Sequence, residues 1–253
     1  MGKSCLLAHF ARETAFNSDR NRLMRRAIQE KNQNGFQLAV PKHCVSANFT
    51  VKLKKPWFSE RFNRYVNPFR LGFANNEVKT HYNFPYEAIY IDEAQKYYDS
   101  KKDLPAWQSL WFEQHRHLHL DITMATQRPM RINKNIRDIS QFIEIRSLKI
   151  EEKNGHVKSV TWKVRRISSN AEFEEYMATG KTNRALYVTE TIKAEYNVFD
   201  LYDSYGFEPE FYRGNLNRNL DISIAEKIKP TWTGYFEHFE KFKDDVPELE
   251  KTG

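Results

Sequence analysis

Cysteine is scarce in this chain and long apolar runs are missing. Only Cys5 and Cys44 occur among 253 residues, so there is no disulfide framework and no thiolate metal pattern, as expected of a protein in a reducing compartment. No stretch approaches the roughly 18 apolar residues that a bilayer-spanning helix requires, and the N-terminus lacks the apolar region of a signal peptide. The chain therefore reads as soluble and intracellular. Internal repeats and low-complexity tracts are also lacking. What is present is length enough for one large α/β domain, or one domain with an appendage. Lys and Arg number 40 against 33 Asp and Glu, a formal charge of +7. That balance permits contact with nucleic acid or an anionic membrane surface, and equally describes a solvated basic surface. Aromatic residues make up 14% of the chain, which argues for β structure or an interface and against disorder over most of the length.

Periodicity orders the chain into two textures. From Lys3 to about Lys31, Leu6, Phe10, Ala15, Leu23 and Ala27 recur at helical spacing, with a break near Asn17-Ser18 and a stop at Gly35. "HCVSANFTVKL" (His43 to Leu53) alternates like a strand closed by Pro56, and Phe58 to Tyr82 reads mostly as loop. "YEAIYIDEAQ" (Tyr86 to Gln95) and "LDITMATQ" (Leu120 to Gln127) are short apolar runs of the buried parallel-strand type. Between them "LPAWQSLWFEQHRH" predicts a helix with Trp107, Leu110 and Trp111 on one face. "NKNIRDIS" predicts a short helix, and "QFIEIRSLKI" the next strand. Beyond it, an Asn-Gly turn, the alternating "HVKSVTWKVRRI", a helix at "AEFEEYMATG" and a second extended stretch describe an antiparallel addition. The expected organisation is residues 1–150 as the core, 151–205 as a β-rich extension, and 206–253 as a polar, loosely ordered tail.

Chemistry concentrates at three places. Gly2-Lys3-Ser4 is how a phosphate-binding loop ends, although a full loop has further residues and a buried strand upstream, and only Met1 precedes it here. Asp92-Glu93 ends one buried strand and Thr126-Gln127 ends another. If those strands are neighbours, their ends deliver side chains to one crevice. Lys3 would then reach the β- and γ-phosphates of ATP, Gly2 and the following amides would receive phosphate oxygens, and Ser4 and Asp92 would hold Mg2+. Glu93 would take a proton from the attacking water, and Gln127 would orient that water or sense the γ-phosphate. The bland alternatives are a chance tripeptide, and an acidic pair that caps a helix or sits in a solvated turn.

Together, "GKS", "IYIDEAQKYY", "WFEQHRHLHLDITMATQRPMRINKNIRD" and "LYDSY" resemble the zonular occludens toxin-like (Zot) family of filamentous-phage assembly and secretion proteins; "SANF" is a weaker match. The likeness runs from about Met1 to Tyr205 and is strongest from Tyr86 to Ile139. It implies a P-loop NTPase core with a mainly parallel sheet, whose first strand would be missing here, plus a small antiparallel addition. It also implies a homo-oligomer at the cytoplasmic face of the host inner membrane, hydrolysing Mg-ATP to drive virion assembly and extrusion. Phage coat and export-channel proteins would be its partners, and a membrane segment absent from this chain would hold it there. By position, Arg116 matches the arginine of the family's "HRH".

Several readings stay open. Arg116, Arg128, Arg131 and Arg137 are candidates for an arginine finger reaching a neighbouring subunit. His115, His117 and His119 alternate, which on a strand would suit a metal, but His115 falls at a helix end and a helix-to-strand corner fits better. "KLKKPWFSERFNRYVNPFR" (Lys52 to Arg70) mixes cations with aromatics, as a single-stranded DNA surface does, and as an aromatic core edge or inter-subunit loop also does. Two other functions compete with the ATPase: a non-catalytic oligomeric assembly module, and a DNA-binding or packaging partner. Either the chain starts downstream of its loop or catalysis has been lost.

Overall fold

The computed structural model describes residues 2–36, 38–53, 61–72, 74–75, 80–179 and 183–202. The expected tail over 206–253 lies outside them, as do residues 54–60 of the basic-aromatic stretch.

The N-terminal periodicity makes two helices, α1 (Lys3–Ala15) and α2 (Ser18–Gln33). The break falls at Asn17, whose side chain caps α2 by accepting from the Arg20 N–H at 3.0 Å. Leu6, Leu7, Ala8, Ala11 and Ala15 bury one face of α1. On α2 the inward positions are Asn21, Met24 and Ile28, one residue away from the expected Leu23 and Ala27. Asn21 is the cause. Its Nδ2 donates to the carbonyls of Ala15 and Asn17 at 2.8 Å each, and its Oδ1 accepts from the Cys44 N–H at 2.8 Å. With that amide turned inward, Leu23 is left 42% exposed.

In chain order the strands are β1 (Val45–Ala47), β2 (Lys52–Leu53), β3 (Arg61–Phe62), β4 (Arg64–Tyr65), β5 (Ala74–Asn75), β6 (Thr80–His81), β7 (Ala88–Ile91), β8 (Asp121–Met124), β9 (Phe142–Lys153), β10 (His156–Ile167) and β11 (Val188–Ala194). The central sheet is parallel throughout, in the order β4-β1-β7-β8. The single strand expected over His43–Leu53 is two pieces in different sheets, because side-chain amides take over the backbone bonding between them. Asn63 accepts from the Val51 N–H at 2.7 Å and donates to the Phe49 carbonyl at 3.0 Å. The aromatic stretch that follows holds short ladders, β2 with β3 and β5 with β6, where loop was expected.

Alternation along β7 divides the core. Ala88 and Tyr90 face the cluster built by α1, α2 and the antiparallel sheet, while Ile89 and Ile91 face α3 (Ala106–Gln114) and α4 (Lys134–Asp138). On α3 the buried residues are Gln108, Trp111 and Phe112; Trp107 and Leu110, expected inside, are 37% and 51% exposed. Gln108 displaces them because its Nε2 donates to the carbonyls of Pro68 at 3.0 Å and Leu71 at 3.3 Å.

The second sheet is antiparallel, in the order β11-β10-β9, and its hairpin turns at Asn154 and Gly155, both with positive φ. Val160, Trp162 and Val164 alternate on β10 and pack into the same core as α1. A smaller cluster of Ile167, Phe173, Tyr176 and Leu186 sits under α5 (Asn170–Ala178). The fold is thus α/β, a parallel sheet with an antiparallel addition. No helix among the described residues is long and apolar enough to cross a membrane.

Candidate functional site

The C-terminal end of the parallel sheet gathers residues from five distant parts of the chain. α1 begins at Gly2, which caps it at φ 92° without a side-chain bond, and carries Lys3 and Ser4 in its first turn. Ser4 Oγ donates to Asp92 Oδ2 at 2.5 Å, joining positions 88 residues apart. Asp92 directly follows β7. Its backbone is held on both sides by Asn48, which accepts from the Asp92 N–H at 2.8 Å and donates to the Asp92 carbonyl at 3.0 Å. Tyr202 donates from its hydroxyl to Asp92 Oδ2 at 3.3 Å.

Glu93 adopts the left-handed conformation, φ 52° and ψ 42°, which for a non-glycine residue is uncommon and turns its side chain out of the strand line. Its Oε1 accepts from Gln127 Nε2 at 3.1 Å, and its Oε2 from Gln95 Nε2. Its own N–H donates to Asp92 Oδ1 at 2.9 Å. Gln127 arrives because β8 lies beside β7 in parallel register, and the strands continue into the bond from Ala94 N–H to the Ala125 carbonyl at 2.9 Å. Asp92 and Glu93 therefore share one crevice with Ser4 and Gln127.

The electrostatics of Asp92 are unusual. It is 6% exposed and takes bonds from Ser4, Tyr202 and the Glu93 N–H, all neutral donors. Among the described residues no Lys or Arg forms an ion pair with it. Buried carboxylates ordinarily find a cation or a metal. The neighbours register its charge: burial and then Asp92 push the Tyr202 hydroxyl up to about 12, and the same two causes raise the Cys5 thiol. A serine hydroxyl touching a carboxylate is an oxygen pair of the kind that suits Mg2+, which keeps most of its waters and takes one or two protein oxygens.

Arg116 is not brought to this crevice. It lies in the 3-10 turn His115–Leu118, at the opposite end of the sheet, where the Leu118 carbonyl accepts from the Tyr86 N–H ahead of β7. The histidines make a corner there: His115 Nδ1 pairs with the Phe112 carbonyl at 2.5 Å, and His119 stacks on Tyr86 at 4.6 Å. Arg137 is 8% exposed and pairs with Glu174 at 3.6 Å, so it braces α4 against α5 and does not reach outward. Arg128, one residue beyond Gln127, is exposed at the crevice end.

Sequence reasoning assigned no role to Asn48 or Tyr202. Both lie in segments that carried the family likeness, "SANF" and "LYDSY", which was the available signal. Tyr202 reaches the site because the Lys52 N–H donates to the Leu201 carbonyl at 2.9 Å and Val51 bridges Tyr202.

An α/β protein whose parallel strands end in an acidic pair facing a helix N-terminus is the class defined so far. A family profile described as zonular occludens toxin (Zot) matches residues 73–207, more than half of the chain. The chain belongs to the Zot family. The crystal structure of the N-terminal domain of zonular occludens toxin from Neisseria meningitidis is 20% identical, with a TM-score of 0.39, covering 63% of this chain and 79% of that one. Among curated proteins none matches the chain.

Proposed function

We propose that this Zot-family chain is a P-loop-type ATPase subunit that hydrolyses Mg-ATP to power filamentous-phage assembly and extrusion. The observation that supports it best is the meeting of Ser4 with Asp92 and of Glu93 with Gln127 at the C-terminal end of a parallel sheet, where α/β proteins place their ligands. Lys3 and the amides at the head of α1 bind the β- and γ-phosphates. Ser4 and Asp92 hold Mg2+, which when bound neutralises charge on the phosphate oxygens. Asn48 fixes the backbone of Asp92, so that the carboxylate faces Ser4 without reorganisation. Glu93 takes the proton of the attacking water, and Gln127, already bonded to Glu93, orients that water for in-line attack on the γ-phosphate. Arg128, exposed one residue beyond Gln127, would act across a subunit contact in a homo-oligomer. Coat proteins, the export channel and single-stranded DNA are the macromolecular partners of this reading, and the cytoplasmic face of the host inner membrane is its location.

Phosphate release from Mg-ATP by the purified chain, as it stands and with a phosphate-loop sequence added ahead of Met1, tests the proposal. Turnover that requires Mg2+ and is lost in Glu93→Gln supports it. Nucleotide binding without turnover in both forms would favour the non-catalytic assembly module.

A further inference from the structure

We propose that Trp162, carried by the antiparallel sheet, is a ligand-binding residue of the phosphate site, its indole N–H held for a phosphate oxygen at the head of α1. This rests on the nucleotide reading of the same site and adds a residue from outside the parallel core.

Trp162 is fully buried, yet its Nε1 has no hydrogen-bond partner among the described residues. Orphaned buried donors are few in folded proteins and each asks for an explanation; Trp111 Nε1 is another here, so it is the position of the Trp162 indole that matters. The place of this one is specific. A side chain built on Gly2 would begin 3.3 Å from Trp162 Nε1, the nearest atom to that point. Gly2 is the N-cap of the 13-residue α1 and offers no side-chain acceptor. The amides of Lys3 and Ser4 also find none among the described residues. The indole N–H therefore lies beside Gly2, at a helix end where the Lys3 and Ser4 amides find no acceptor among the described residues and the first turn carries no carboxylate. Unanswered N–H donors at a helix N-terminus suit an anion, and the Asp92 carboxylate there is engaged by the Ser4 hydroxyl rather than by these amides.

The indole is also locked in place. Trp162 pairs across β10 with Leu148 on β9 and Ile192 on β11, and its ring stacks on His9 of α1 at 5.5 Å and 25°. Leu148 lies 3.6 Å from the same point above Gly2. Side chains of β9 and β10 thus pack over Gly2, and any residue but glycine at position 2 would push against them while also straining at φ 92°. Occupancy of the phosphate site would in this way be read directly by the antiparallel sheet.

The test uses the full chain labelled with 15N-tryptophan, its Trp162 indole signal assigned through contacts with the Leu148 methyls and the His9 ring. Magnesium pyrophosphate and Mg-ADP are titrated in. The expected result is a downfield shift and slowed hydrogen exchange of the Trp162 signal with both, and Mg-ADP affinity at least tenfold weaker in a folded Trp162→Phe variant, as for loss of one bond to a charged group. If nucleotide binds while the Trp162 signal stays still, this inference falls and the nucleotide site stands. If neither ligand binds the wild-type chain, both fall. If pyrophosphate moves the signal but ATP is never hydrolysed, the inference stands and the ATPase reading falls.

Discussion

Strand β7 has a carboxylate at each end, and the two are treated oppositely. Glu87, just before it, is fully buried and accepts from Ser46 Oγ, Arg64 Nη1, Asn83 Nδ2 and the Phe84 N–H. Its cation is built into the protein. Asp92, just after the strand, is nearly as buried but among the described residues meets only neutral donors. The same chemistry is closed at one end and left open at the other. A carboxylate whose counter-ion is internal holds the fold together, and one without it among the described residues is the one proposed above to take Mg2+.

Breaking the open end should cost function most. Glu93→Gln is expected to lower ATP turnover by about a hundredfold to ten-thousandfold, the range of a general base, with nucleotide affinity unchanged in a parallel binding measurement. Breaking the closed end should instead cost stability. Arg64→Met leaves Glu87 buried without its cation and should destabilise by about 3–5 kcal/mol, read by denaturant unfolding. Replacing both partners with apolar residues should recover only part of that loss, because Ser46 Oγ, Asn83 Nδ2 and the Phe84 N–H then lose their acceptor.

Between these ends, α1 supplies a pH-dependent contribution. His9 is packed against Trp162 and its Nδ1 pairs with the Tyr196 hydroxyl at 2.6 Å; burial lowers its pKa from 6.5. The unfolded ring takes up a proton at a pH where the folded one does not. Stability is therefore full above about pH 6.5 and declines as pH falls below it, until the folded ring also titrates. Thermal melts between about pH 7.5 and pH 5 should show that decline, flattened in His9→Gln. The smallest effect belongs to Arg116, exposed in its corner far from the crevice. Arg116→Ala should change unfolding stability by less than about 0.5 kcal/mol.

The contrast between the ends of β7 was only half legible in the sequence. "DEAQ" and "TQ" announce themselves because short apolar runs ending in polar residues are what buried parallel strands look like. Glu87 sits inside the same apolar run and carries no such mark, and Arg64 comes from a stretch expected to be loop. Their pairing follows from sheet order alone. Gln108 and Asn21 hid in the same way: each is polar, each points inward to bond backbone, and each displaced the apolar face that periodicity predicted for its helix. Asn48 and Tyr202 could be located by family likeness, but their grip on Asp92 depends on contacts 44 and 110 residues away along the chain. Arg116 stands near Gln127 in sequence, and a whole strand separates them in space.

Calorimetric titration of ATP into the wild-type chain and Asp92→Asn, with and without Mg2+, addresses the open carboxylate most directly. The account predicts that Mg2+ strengthens nucleotide binding to the wild-type protein and that Asp92→Asn removes this gain while leaving the metal-free affinity in place. An equal gain from Mg2+ in both proteins would contradict it.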